Sequence, residues 1–120
     1  MKKSYRVKKE AEFQQVFEKH QSVANRQFVI YQMEKPGQVH FRIGISVGKK
    51  VGNAVHRNWV KRRIRQTMTE LKPKLRPDVD ILIIARPQAD GMSMAAVRAS
   101  LRHALKLAQL LETDEHGEES

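Results

Sequence analysis

Between Lys49 and Arg65 the chain reads KKVGNAVHRNWVKRRIR. Seven cations fall there, Lys49, Lys50, Arg57, Lys61, Arg62, Arg63 and Arg65, and no acid. Lysine and arginine heads are pure hydrogen-bond donors, and the planar guanidinium matches two phosphate oxygens at once. Arg57, Lys61 and Arg65 recur every fourth residue. Like charges at that spacing repel on a helix, so a folded helix that keeps them calls for an anionic partner. Asn53 and Asn58 add amides that donate and accept. Gly48 and Gly52 bracket the start of the run and let backbone approach a ligand closely. Each phosphate neutralised by such a surface releases counterions, so affinity should fall steeply with salt.

A second set of residues is aromatic. Phe13, Phe17, Phe28 and Tyr31 fall in the first third of the chain. Aromatic rings beside cations stack on unpaired bases, the common mode of single-stranded RNA recognition. The same residues also suit a core. Phe28 and Tyr31 point to opposite faces of any strand that holds them, so both are buried only if both faces are covered. No comparable set points to catalysis. His20, His40, His56, His103 and His116 show neither H-E-x-x-H nor H-x-x-E-H spacing, and no Ser-His-Asp arrangement can be supported. The absence of cysteine excludes disulfides, thiolate chemistry and cysteine-based zinc sites.

The whole composition agrees with a polyanionic partner. The 120 residues carry a formal +10. Residues 112–120, ETDEHGEES, hold five acids and no lysine or arginine, which leaves +15 on the first 111. Nucleic acid is the leading partner for such a body, and an anionic membrane surface the lesser one. No apolar run reaches the ~18 residues of a membrane span, and no apolar segment follows the basic N-terminus as a secretory signal requires. A cytoplasmic protein is expected. With 40% hydrophobic residues the chain can bury one core, so a single RNA-binding domain is expected over 1–111 and a disordered acidic tail over 112–120.

Hydropathy patterns supply the elements that must position these residues. Phe13, Val16 and Phe17 mark one face of a helix over residues 8–19, with Glu10 and Glu12 at its positive end. Residues 26–34 read as a strand, Pro36-Gly37 as a turn, and residues 39–47 as a second strand with Val39, Phe41, Ile43, Ile45 and Val47 on one face. These two strands are expected to form an antiparallel hairpin. Asn53 caps a helix over 53–71 whose buried stripe is Val60, Ile64, Met68 and Leu71. Asn58, Lys61, Arg62, Arg65 and Thr69 fall on an adjoining arc. The continuous apolar run Ile81 to Ala85 suits a strand covered on both faces. A last helix runs from about Ser93 to Leu111, with Val97, Leu101, Ala104, Leu105 and Ala108 inward. The order is helix, hairpin, helix, strand, helix. It predicts an α/β (α+β) two-layer sandwich, a small mixed sheet packed by three helices. The helical connection between the strands at 39–47 and 80–85 predicts a parallel pair and leaves its hand open.

The basic run, from Lys49-Lys50 through Gly52, Asn53 and Arg57-Asn58 to Lys61-Arg62 and Arg65, resembles the defining motif of the bacterial ribonuclease P protein subunit family. The early E-F-x-x-V-F helix, the segment SVANRQFVIY, the strand GISVGKK and the later ILIIAR are similar to that family in order and spacing. The likeness runs from residue 4 to about 110. It implies an α/β sandwich whose parallel strands are joined by a left-handed crossover. It implies the non-catalytic protein subunit of a ribonucleoprotein endoribonuclease that removes the 5′ leader of precursor tRNA. Catalysis and Mg²⁺ would belong to the RNA, with no metal held by protein side chains. The partners would be the catalytic RNA and precursor tRNA, with no membrane and no further protein required.

Carried onto this chain, the motif makes Arg57, Asn58, Lys61, Arg62 and Arg65 contacts to catalytic RNA and to substrate near the cleavage region. Lys49, Lys50 and Asn53 share that surface. Phe13, Phe17 and Tyr31, with Phe28 as a weaker member, match the aromatic positions of a cleft for the single-stranded leader. One residue departs: Trp59 stands where the family motif usually has a third, cationic residue, so an indole replaces a charge, to pack locally or to stack on a base. Two other classes fit the composition: a structural, ribosome-associated RNA-binding protein, and an autonomous protein nuclease.

Overall fold

The apolar run near the C-terminal end lies at the centre of a four-stranded sheet in the computed structural model, which describes residues 2–111. In chain order the elements are α1 (Glu10–Glu18), β1 (Ser22–Ala24), β2 (Phe28–Glu34), β3 (Arg42–Val47), α2 (Ala54–Leu71), β4 (Val79–Ala85) and α3 (Met94–Leu107). The acidic tail, expected to be disordered, lies outside the described residues.

The sheet order is β1-β2-β4-β3. β4 pairs antiparallel with β2, Phe28 opposite Ala85 and Glu34 opposite Val79. It pairs parallel with β3, Arg42 opposite Asp80 and Val47 opposite Ala85. The expected parallel pair joined through a helix is therefore present. The expected hairpin is not, because β4 lies between β2 and β3. Ile81 and Ile83 of β4 enter the main core while Leu82, also buried, faces the other side. A strand apolar on both faces gains most from the central place. β2 instead takes β1 as its hairpin partner, Ser22 opposite Tyr31, a strand of three residues too short to show periodicity. β3 also starts later than its alternation suggests. Val39 is 89% exposed, and Tyr5 stacks on His40 at 3.8 Å between ring centroids, so residues 39–40 belong to the turn.

One sheet face carries the main core. Phe28, Ile30, Ile43, Ile81 and Ile83 pack there with Val60, Ile64, Met68 and Leu71 of α2 and with Val97, Leu101, Ala104 and Leu105 of α3. The helix stripes are those the spacing predicts. α3 stops at Leu107, short of the expected Leu111. Gln109 adopts φ +60°, and the bend turns Leu110 and Leu111 back into the core. The two leucines continue the apolar pattern without continuing the helix.

α1 lies across the opposite face, where Tyr31, Gly44 and Leu82 point. What orients it is polar. Asp80 has no exposed surface. Its carboxylate accepts from Arg42 Nε at 3.0 Å and Nη2 at 2.7 Å. Arg42 Nη2 also donates to Glu12 of α1 at 3.0 Å, and Lys35 Nζ stands 3.7 Å from Asp80. The Asp80 hydrogen bonds, followed by Glu12, raise the Arg42 pKa beyond its ordinary value despite desolvation. Removing one partner of a buried pair strands the other, so Asp80→Ala should cost about 3–5 kcal/mol, read as a lower urea midpoint.

Acid should loosen the same contact. The Arg42 hydrogen bond, chiefly, holds the Glu12 carboxyl below its ordinary 4.5. As pH falls the unfolded chain binds this proton first. Glu12 therefore stabilises the fold above its ordinary value, and the contribution is lost as pH falls through the folded one. The urea midpoint should drop as pH is lowered past 4.5, and drop less in Glu12→Gln.

Candidate nucleic-acid interface

α2 opens as its sequence predicts. The Asn53 side chain accepts from the His56 amide at 3.0 Å, satisfying one of the free donors of the first turn. Gly52 serves this start rather than a ligand: a Cβ there would stand 2.9 Å from His56 Cβ. Around Gly48 a Cβ would meet open space.

The buried stripe divides the basic helix into two flanks. At about 100° per residue, Arg57, Lys61 and Arg65 lie on one side of the stripe and Trp59, Arg63 and Gln66 on the other. Asn58, Arg62 and Thr69 form the crest between. The expected arc of Asn58, Lys61, Arg62, Arg65 and Thr69 runs from the first flank across this crest. Arg65 turns into a cleft beside α1, while Arg62 lines a groove towards α3. Lys49, Lys50, Asn53, Asn58 and Arg62 are exposed, and Arg57, Lys61 and Arg65 partly so.

The distribution of acids is the informative electrostatic fact. Arg42 pairs with Asp80 and Glu12, Arg76 with Asp78 and Glu34, Arg98 with Glu70, and His56 with Asp90. Among the described residues no acid pairs with Lys49, Lys50, Arg57, Lys61, Arg62, Arg63 or Arg65. Arg57 Nε is buried with no hydrogen-bond partner among them. A donor left in that state costs free energy that an added acceptor recovers. The acids present thus hold the scaffold together and leave the motif's charge uncompensated.

Beside this flank is a cleft of about 150 Å³ lined by Arg6, Val7, Phe13, Ile43, Gly44, Ile45 and Arg65. Phe13 reaches it by lying on Gly44, where a Cβ would overlap its ring. Phe17 and Tyr31 meet edge to face, 4.8 Å between centroids. All three rings are partly buried. Phe28 does not join them. It has no exposed surface and packs on the opposite face of the sheet, so it is a core residue and not a stacking platform. Both sheet faces are covered, which is how Phe28 and Tyr31 both find shelter.

Sequence reasoning passed over Arg6. The N-terminal segment runs parallel to β3 through a bridge from Arg6 to Ile43, with the Val7 amide donating to the Ile43 carbonyl at 2.8 Å. This meets the free edge of β3 at Ile43 and brings Arg6 to the same cleft as Arg65. A single bridge leaves no periodic trace, and the cation count of the N-terminus is the signal the sequence carries. Among the described residues no group of three histidines or acids could hold a metal ion, and no helix is long and apolar enough to cross a membrane.

Comparison with known proteins bears on the chain as a whole. The family model described as Ribonuclease P matches residues 1–109. The Ribonuclease P protein component of Levilactobacillus brevis is 73% identical over 114 residues, spanning 95% of this chain and 97% of that protein. Its counterpart from Limosilactobacillus reuteri is 70% identical, spanning 93% and 96%. The solved RNase P protein of Staphylococcus aureus superposes with a TM-score of 0.85 at 46% identity, covering 92% of this chain and 100% of that one. The Thermotoga maritima protein gives 0.77 at 28% identity, covering 85% and 96%.

The Phe13–Gly44 contact can be tested directly. Gly44→Ala should overpack it and cost about 1–3 kcal/mol by urea unfolding. Most of that loss should vanish when the same change is made in a Phe13→Ala background, since the two residues touch.

Proposed function

The chain belongs to the ribonuclease P protein family, and we propose that it serves as the RNA-binding subunit of a ribonucleoprotein that removes the 5′ leader from precursor tRNA. The observation that carries this reading is the uncompensated charge of α2 and the loop before it, while the acids pair with Arg42, Arg76 and Arg98 elsewhere in the molecule. Residues 1–111 act as one RNA-binding domain, in the cytoplasm.

In this reading Lys49, Lys50, Asn53, Arg57, Asn58, Lys61, Arg62 and Arg65 hold RNA phosphates of the catalytic RNA and of substrate near the cleavage region. Guanidinium forks fix the direction of the phosphate backbone as well as its distance. Phe13, Phe17 and Tyr31 offer ring surface to the unpaired leader beside this flank, with Arg6 and Arg65 at the cleft to meet its phosphates. Binding leader and catalytic RNA on one rigid domain makes their encounter effectively intramolecular. It also adds positive charge where two polyanions meet, which favours their assembly. The chemistry of hydrolysis is assigned to the RNA with its Mg²⁺. The protein's own part is to bind, orient and screen charge.

Reconstitution tests this. At low Mg²⁺ the protein should stimulate precursor tRNA cleavage by the catalytic RNA and be inert alone. Absence of stimulation would overturn the reading, and cleavage without RNA would replace it with a protein nuclease. Arg65→Ala should weaken RNA binding and flatten the slope of log affinity against log salt by about one unit; an unchanged slope removes Arg65 from the phosphate contacts.

A further inference from the structure

The second flank of α2 faces the start of α3 across a groove of about 390 Å³, lined by Trp59, Arg62, Arg63, Gln66 and Met94. That size falls within the ~300–1,000 Å³ of small-ligand sites. Trp59 is the chain's one tryptophan, and it is 45% exposed. Its indole is held from both neighbouring turns. His56, one turn before, stacks on it with centroids 5.3 Å apart and planes at 28°. The imidazole is itself anchored, with Nδ1 2.8 Å from an Asp90 carboxylate oxygen. Arg63, one turn after, lies over the ring with its guanidinium carbon 5.9 Å from the centroid. That is the outer limit of a cation–π contact, looser than the His56 side.

No acid lines the groove. Two acids stand near its ends, and both are occupied: Asp90 by His56 and Glu70 by Arg98, whose Nε donates at 2.7 Å and Nη2 at 3.1 Å. Gln66 Nε2 donates to Glu70 at 3.2 Å, which orients the amide and leaves its carbonyl oxygen to accept. The groove thus combines an indole with a fixed backing, two guanidinium groups without an acidic partner among the described residues, and one oriented amide. A flat aromatic group carrying a negative charge satisfies all of them together.

We propose that this groove holds one unpaired nucleotide of bound RNA, its base stacked on Trp59 and its phosphate taken by Arg62 and Arg63. The proposal rests on the RNA-binding reading above and adds a site on the opposite flank of α2 from the cleft. The base enters on the Arg63 side, where the guanidinium swings outward to the phosphate or onto the far face of the base. The Gln66 amide meets the base edge. Stacking on Trp59 reads whether a base is unpaired.

Because Trp59 is the sole tryptophan, its emission reports this groove alone. The full chain is titrated with a labelled short single-stranded RNA while anisotropy and tryptophan emission are followed together. Emission should be quenched with the anisotropy midpoint. Base stacking contributes enough that Trp59→Ala should weaken binding about tenfold, with Trp59→Phe recovering most of it and far-ultraviolet circular dichroism unchanged in both. Duplex RNA of equal length and inorganic phosphate should leave the emission nearly unaltered. RNA that binds by anisotropy without quenching, or with unchanged affinity in Trp59→Ala, would overturn this site and leave the RNA-binding reading intact. Equal quenching by duplex or phosphate would overturn the stacked base. Absence of any RNA binding by the wild-type chain would overturn both readings.

Discussion

A carboxylate with no exposure to water, Asp80, sits on the central strand beneath Arg42. Taking that charge out of water is expensive, and the attraction of a buried pair often does no more than offset its desolvation. The net gain lies in placement. Asp80 and Arg42 are opposite one another in the β3–β4 register, so a shift by one residue would send them to different faces and leave the carboxylate bare. The third hydrogen bond of Arg42, to Glu12, extends the constraint to α1. One guanidinium thus ties three segments distant in sequence and sets the angle at which Phe13 lies on Gly44. The cleft beside Arg65 exists because α1 is held there.

The same economy of acids governs the surface. Eight acids fall within residues 1–111, and those with ion-pair partners sit on Arg42, Lys35, Arg76, Arg98 or His56, not on the lysines and arginines of the motif. α2 keeps its row of like charges at a cost in helix stability, since i to i+4 repulsion acts along it. Its buried stripe, with Val60 at 3% exposure and Ile64 and Met68 at none, offsets that cost by tertiary packing. In the proposed reading the helix is preformed for RNA, and bound phosphates would relieve its repulsion. On that reading folding stability is given up for affinity, and the affinity would depend strongly on salt.

Periodicity made α2, α3 and the buried strand legible because each carries its full pattern within one segment. The N-cap at Asn53, the Val60–Ile64–Met68–Leu71 stripe and the parallel pairing across α2 all appear as their sequence implies. Pairing partners were less legible. Residues 28–34 and 42–47 look like a hairpin from chain order, yet the strand apolar on both faces inserts between them, a choice made by burial across the whole sheet. The same non-local effect decides Phe28. Its type and position match an aromatic platform, and only the sheet face on which α2 and α3 pack shows that it belongs to the core. Family likeness supplied the motif residues, while the division of α2 into two flanks needed the stripe to be seen against β3 and α3.

That division bears on how one helix can serve two strands of nucleic acid. The Arg57–Lys61–Arg65 flank looks towards α1 and β3, where Arg65 shares a cleft with Phe13 and Arg6. The Trp59–Arg63 flank looks towards α3. Phosphates on a single RNA backbone cannot follow both flanks without crossing the crest, where Asn58 and Arg62 stand exposed. A crest that carries a cation and an amide, with only Val55 and the indole exposed as apolar surface beside it, suits close passage of a second backbone. The geometry of α2 therefore suits a helix set between two RNA segments, its buried stripe fixed to the sheet and its remaining circumference shared between them. The rigidity required for that sharing comes back to the α2 stripe on one sheet face and to the Asp80–Arg42–Glu12 link on the other, which together fix the distance from α1 to α2.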